Sequence, residues 1–231
     1  MKLLFIDETA KYGYFGISIV CMDHTKYSLI GTSILNALNK HQWSLDKEFK
    51  STCIFSSTEG CPQIDIETRR KIAKEIIRSN ISGSNARINA YFAYTKGNKN
   101  TKNYQLLLKK ILSQLPRASS SKNGKNLIAV FFDQLDLGNE AIKEVITSLS
   151  VLAAKDYLLL EHPTLVKSSN ITHGIFLADH IAFISLWKSI SDSDKDLEKK
   201  PIKKMKDKFI KELFTDIKKI KITEVKTNVS N

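Results

Sequence analysis

The chain has 231 residues, 42% hydrophobic and 26% charged, enough for one large domain or a domain with an appendage that folds without disulfides or a structural metal. Such a composition excludes a disordered chain, a collagen-like fibre and a disulfide-rich miniprotein. Thirty-six basic against 24 acidic residues give a net charge of +12, which favours polyanionic partners, nucleic acid before anionic membrane or acidic protein, although a lysine-rich composition alone produces the same sign.

Lys2 to Asp7 reads as a buried strand, Leu-Leu-Phe-Ile and then a carboxylate. The run ends too soon for a signal-peptide core, and no stretch reaches the ~20 apolar residues of a membrane span, so no membrane association is expected. Tyr14 to Cys21 is a second strand, and Lys26 to Gly31, after the polar turn Asp23-His24-Thr25, a third; together they predict an antiparallel meander. Ser33 then caps a helix running to about Trp43. Asp46 to Ile54 fits no single template, and Ser56 to Gln63 is a loop. Ile66 to Ser79 is helical, with Ile72, Ile76 and Ile77 inward and Arg69, Arg70, Lys71 and Lys74 elsewhere. Cys21, Cys53 and Cys61 form no C-x-x-C pair, which predicts a reduced, cytoplasmic protein.

Ile88 to Tyr94 alternates as a strand, Asn103 to Leu115 has helical spacing up to Pro116, and Leu127 to Asp133 is the most apolar strand of the chain, ending again in a carboxylate. A helix over Asn139 to Ala153, a strand over Tyr157 to Glu161 and an apolar helix over Ile175 to Trp187 follow. Lys203 to Ile222 is amphipathic, with Met205, Phe209, Leu213, Ile217 and Ile220 on one stripe. The charged stretch Asp192 to Lys200 is the one credible boundary, dividing a domain over 1–190 from a linker and C-terminal helix over 191–231. The predicted architecture is α/β: a mixed sheet, meander plus parallel strands, with helices on both faces.

Two strands thus end in Asp7 and Asp133. Open α/β sheets bind ligands beyond the carboxyl ends of their strands. If the two strands are parallel neighbours, these carboxylates meet, and one must protonate or a cation must lie between them. Asp179 is the single acid in an otherwise apolar helix, where burial without a partner costs several kcal/mol; a metal, a lysine or a backbone cap would serve. Glu48, in Asp46-Lys47-Glu48-Phe49-Lys50, is the fourth candidate. Several carboxylates from distant segments are what Mg²⁺ or Mn²⁺ needs, and two such ions activate water and stabilise the leaving oxygen of a phosphodiester. Each acid alone has an ordinary reading as well: turn residue, helix cap, surface acid or structural ion pair. Glu8 should point to the opposite side of the strand, Asp136 reads as a turn acid, His173 as a helix-start histidine or a proton donor, and His180 as a packed side chain.

Phe5-Ile6-Asp7-Glu8-Thr9-Ala10 resembles the opening F-I-D-E-S-G of the domain-of-unknown-function 3800 family (DUF3800), within the ribonuclease H-like superfamily. Glu48-Phe49-Lys50 resembles its E-x-K, Val130-Phe131-Phe132-Asp133 its central strand, and Ser168-Ser169 with Gly174-Ile175-Phe176-Leu177-Ala178-Asp179-His180-Ile181-Ala182 its S…G-L-Q-L-A-D-L-I-A. The resemblance spans residues 1 to 190. It implies a ribonuclease H-like fold with two metal ions held by Asp7, Glu48, Asp133 and Asp179, Lys50 near the substrate phosphate, nuclease activity, and a setting in antiviral defence. Thr9-Ala10 replaces the family's Ser-Gly and Phe176 its Gln, so a catalytically inactive subunit that binds nucleic acid or a partner protein is the alternative. A metal-dependent phosphatase is disfavoured, with no P-loop present.

Between Tyr94 and Asn126 there are eight basic residues and no acid. Lys96, Lys99, Lys102, Arg117, Lys122 and Lys125, in or beside polar loops, are the expected phosphate grips, with Tyr94 or Tyr104 available to stack on a base. The C-terminal helix reads as an amphipathic surface helix docked on the core rather than a nucleic-acid arm, and its stripe could instead dock a protein partner or a second copy of the chain.

Overall fold

Residues Lys2–Lys11 (β1) and Tyr14–Asp23 (β2) form a long hairpin. Its two-residue turn places Tyr12 at φ 51° and Gly13 at φ 74°, the pair of positive φ values that lets a short turn match the strand twist. The structure, a computed structural model, describes residues 1–56, 64–81, 86–118, 126–133, 143, 146–167, 169–193, 201–217 and 220–226. The meander closes with β3 (Ile88–Lys96), antiparallel to β2, and β4 (Asn126–Asp133) lies parallel to β1 on its other side. Beyond β4, the short strands β5 (Tyr157–Leu159) and β6 (Thr164–Val166) pair in parallel with its first and second halves. At the opposite edge β7 (Ile220–Glu224) runs parallel to β3. The order is β5-β4-β1-β2-β3-β7, with β6 also on β4: an α/β fold built on a mixed sheet.

The period of two along β1 and β2 sorts side chains between two layers. Leu3, Phe5, Val20 and Met22 face α1 (Tyr27–Lys40), α2 (Ile66–Ile81) and α5 (His173–Ser193). Leu4, Ile6, Ile17 and Ile19 face α3 (Thr101–Leu112) and the single turn α4 (Ser150–Ala153). Each buried Leu, Ile or Phe contributes roughly 1.5–3 kcal/mol. Helix α5 is apolar nearly all round because it lies against β1 and β2 on one side and against α1 and the last helix on others. Its first turn sits on the Phe5 ring: a Cβ at Gly174 would come within 2.3 Å of it.

Three expectations from the sequence are corrected. Lys26 to Gly31 is not a third strand; after one 3-10 turn at His24–Lys26 it opens α1, since Ile30, Ile34, Ala37 and Leu38 bury one helical stripe. The meander instead takes β3, after an excursion through α1 and α2. The C-terminal pattern splits into α6 (Pro201–Asp216) and β7, so Ile220 lies in the sheet. Phe209, Ile210, Leu213 and Ile217 are buried in the same core as Phe5, so these residues dock the C-terminal helix on the chain's own core, the first of its two readings from the sequence. The third concerns the cysteines: Cys21 is a buried free thiol, but Cys53 is disulfide-bonded. Among the described residues no helix is long and apolar enough to cross a membrane.

Candidate active site around Asp7 of β1 and Asp133 of β4

The parallel register pairs Phe5 with Phe131 and Ile6 with Phe132, so Asp7 and Asp133 are the next positions on neighbouring strands. The Phe5 and Phe131 rings stack at 4.9 Å on the α5 side. The same alternation turns Asp7 and Asp133 toward that side. Opposite Asp7 on β2 stands Ser18, whose hydroxyl donates to the Ala178 carbonyl at 2.7 Å. That bond ties the sheet to α5 one residue before Asp179.

Asp7 is buried, 7% exposed. Its carboxylate accepts the Glu8 N–H at 2.7 Å, and among the described residues no Lys, Arg or His pairs with it. Burial, followed by the negative charges of Asp179 and Asp133, holds its pKa well above the ordinary carboxylate range. Three acids from three distant segments therefore share one electrostatic environment.

Asp179 is held from across the chain. The Ser51 N–H donates to its Oδ2 at 2.9 Å and the Ser51 hydroxyl to its Oδ1 at 2.6 Å. Ser51 opens a 3-10 turn, Ser51–Ile54, just after Glu48-Phe49-Lys50, so the segment bearing Glu48 is delivered to the same end of α5. Its path is fixed by Asn170, 3% exposed, which accepts the Phe49 N–H at 2.8 Å and donates to the carbonyls of Lys47 at 2.6 Å and Leu45 at 3.2 Å. The Trp43 indole donates to the Lys47 carbonyl at 2.8 Å. Phe49 is fully buried between Trp43 and the Phe176 and His180 rings, which leaves Glu48 half-exposed and Lys50 outward, 3.7 Å apart.

Glu8 points the other way, as alternation requires. It forms an ion pair with Lys99, on the α3 side near buried Tyr104. Burial raises its pKa, and the Lys99 charge opposes the rise. His180 is fully buried; its Nδ1–H donates to the Phe176 carbonyl at 2.8 Å, and burial depresses its pKa. His173 lies under α1, against Gly31 and the Tyr27 ring, with both ring nitrogens buried and unpartnered and its pKa lowered by burial alone.

The expected phosphate grips scatter. Lys99 is committed to Glu8. Lys96 lines a shallow cleft with Gly13 and Glu224 at the far tip of β3, Lys102 is exposed in the first turn of α3, and Arg117 is exposed beyond its end. Lys122 and Lys125 lie outside the described residues, as do Asp136 and Ser168. Sequence reasoning missed Ser18, Ser51 and Asn170. A serine following E-x-K was the one available signal; Asn170 had none, because its partners are more than 120 residues away.

Among the described residues, no three His, Cys, Asp or Glu side chains are gathered closely enough to ligate one ion. The donors are nonetheless hard oxygens, and Asp7 is a buried carboxyl beside two other acids, with no Lys, Arg or His paired to it among the described residues. Oxygen-only chemistry of this kind suits Mg²⁺ or Mn²⁺, and the fit lies in charge and donor type, with the ligands less tightly drawn together than in a finished site. No protein-family model matches the chain, and no curated protein matches it either, so the resemblance rests on the motifs themselves.

Proposed function

We propose that this chain is a divalent-metal-dependent nuclease hydrolysing RNA or DNA phosphodiesters beside Asp7 of β1 and Asp133 at the end of β4. The observation that carries the reading is Asp7: a buried carboxylate flanked by Asp133 and Asp179, with no basic side chain paired to it among the described residues. A buried carboxylate in that position demands a proton or a cation. Asp7, Asp133 and Asp179, with Glu48 from the adjoining loop, would hold Mg²⁺ or Mn²⁺, and such ions activate water and stabilise a leaving oxygen. The chain's own residues do the positioning. Ser51 fixes both oxygens of Asp179, Asn170 fixes the loop that carries Glu48, and Lys50, exposed beyond it, is placed for an approaching phosphate.

The second reading, a ribonuclease H-like subunit that binds nucleic acid without cutting it, is favoured by the two hydrogen bonds that already satisfy Asp179. Purified protein with Mn²⁺ or Mg²⁺ on labelled RNA and DNA panels separates the two. Metal-dependent cleavage, lost by at least a thousandfold in Asp7→Asn, is the expected result. No cleavage with any metal, together with no Mn²⁺ binding by calorimetry, overturns the nuclease reading.

A further inference from the structure

The strongest unassigned feature is a cleft of about 400 Å³ between α2 and α6, lined by Arg70, Lys71, Lys74, Lys208, Phe209 and Glu212 among others. A second concavity continues it along α2 past Lys74 to Arg78. From Arg70 to Arg78 the basic line runs about 12 Å at 1.5 Å per residue, long enough for more than one phosphate. Two of the acids nearby are already occupied: Glu212 pairs with Lys74 at 3.7 Å, and Glu75 with Lys40 at 3.0 Å and His41 at 3.2 Å. Lys71 and Lys208 are exposed, with no ion-pair partner among the described residues.

Arg70 makes the cleft more than a solvated stripe. Its guanidinium lies 5.4 Å from the Phe55 ring centroid and 5.8 Å from that of Phe209, and its Nε is buried without a hydrogen-bond partner. Two aromatic rings thus hold a planar fork at the cleft, which matches a phosphate in a way a mobile lysine cannot.

We propose that this α2–α6 cleft binds the phosphodiester backbone of a nucleic acid, as a surface separate from the carboxylate cluster. A concave site suits a strand better than a membrane, and none of the large exposed apolar side chains among the described residues lies on α2 or α6. The cleft is also joined to the carboxylates by one short segment. Ser51 grips Asp179, Phe55 supports Arg70, and Arg69 bolts the start of α2 to the Cys53 carbonyl at 2.9 Å.

The test is fluorescence anisotropy with 20-nucleotide RNA and DNA, in EDTA so that no cleavage enters. Lys71→Glu/Lys208→Glu is expected to weaken binding at least tenfold and to flatten the slope of log K against log salt by roughly 1.4–1.8, as for two lost phosphate contacts at about 0.7–0.9 each. Arg70→Lys, which keeps the charge and removes the fork, is expected to weaken it about threefold. The same reversal at Lys26 and Lys110, distant exposed positions, should change it less than twofold, and melting curves verify that each variant is folded. Equal weakening by both pairs, no binding by the unaltered chain in low salt, or loss confined to anionic phosphatidylserine vesicles overturns the proposal. Because no metal is present, absence of nuclease activity leaves it standing, and its own failure leaves the metal reading untouched.

Discussion

Asp7 and Glu8 are adjacent in sequence and opposite in circumstance. Glu8, on the α3 side of the sheet, has been given Lys99, and its charge is answered within the fold. Asp7, on the α5 side, is more deeply buried and is answered by more negative charge, from Asp179 and Asp133. A fold that neutralises one carboxylate and surrounds its neighbour with like charge has separated a structural acid from a candidate functional one. The 0° or 180° alternation of a strand is what puts two such environments one residue apart.

The contrast can be broken most forcefully at the loop that serves the Asp7 side. Asn170→Ala removes three hydrogen bonds from a buried site and should cost about 3 kcal/mol by urea denaturation; a loss under 1 kcal/mol would mean the loop holds without it. Lys99→Met leaves Glu8 buried beside an apolar chain. Since Lys99 is one-third exposed, the cost should be about 1–2 kcal/mol, with part of it restored in the double variant Glu8→Gln/Lys99→Met. Failure of the double variant to recover any stability would show that the ion pair is not what matters.

Asp7→Asn should have the opposite sign. A carboxyl whose folded pKa is raised favours the fold most while protonated, below its ordinary value of 3.8, and that contribution is lost as pH rises through the raised value. In EDTA near pH 7.5, Asn at position 7 should therefore stabilise by about 1 kcal/mol, roughly 2–4 °C in Tm, and the advantage should vanish in acid. Destabilisation at neutral pH would identify Asp7 as a structural acid after all. The smallest effect is expected at Cys21, whose thiol burial pushes up to about 11. It should resist iodoacetamide in the native protein at pH 8 and react on denaturation; rapid native labelling would contradict its burial.

How much of this was legible beforehand follows from which interactions are local. The strands carrying Asp7 and Asp133 were readable because an apolar run closed by a carboxylate is a local signal, although β1 does not end at Asp7 but runs on to Lys11 through its pairing with β2; helix α3 was readable because Leu107, Leu108 and Ile111 repeat at helical spacing. The start of α1 is misread because Lys26 to Gly31 is apolar enough for a short strand, and only the burial of Ile30, with Ile34 and Leu38, in the core beside Phe5 and Val20 selects the helix. The split of the C-terminal pattern into α6 and β7 was hidden for the same reason: Ile220 fits a helical stripe equally well until the open edge of β3 offers it backbone hydrogen bonds.

For the candidate site, residue types and their order are properties of the sequence: four acids, two closing apolar strand runs, one on an apolar helix, one before a lysine. Their surroundings are not. That Lys99 answers Glu8 and leaves Asp7 alone, that Ser51 closes on Asp179, and that Arg70 rests on Phe55 and Phe209 were decided by tertiary structure, because electrostatic compensation and side-chain support come from residues far along the chain whose proximity exists only once the sheet and α5 have packed.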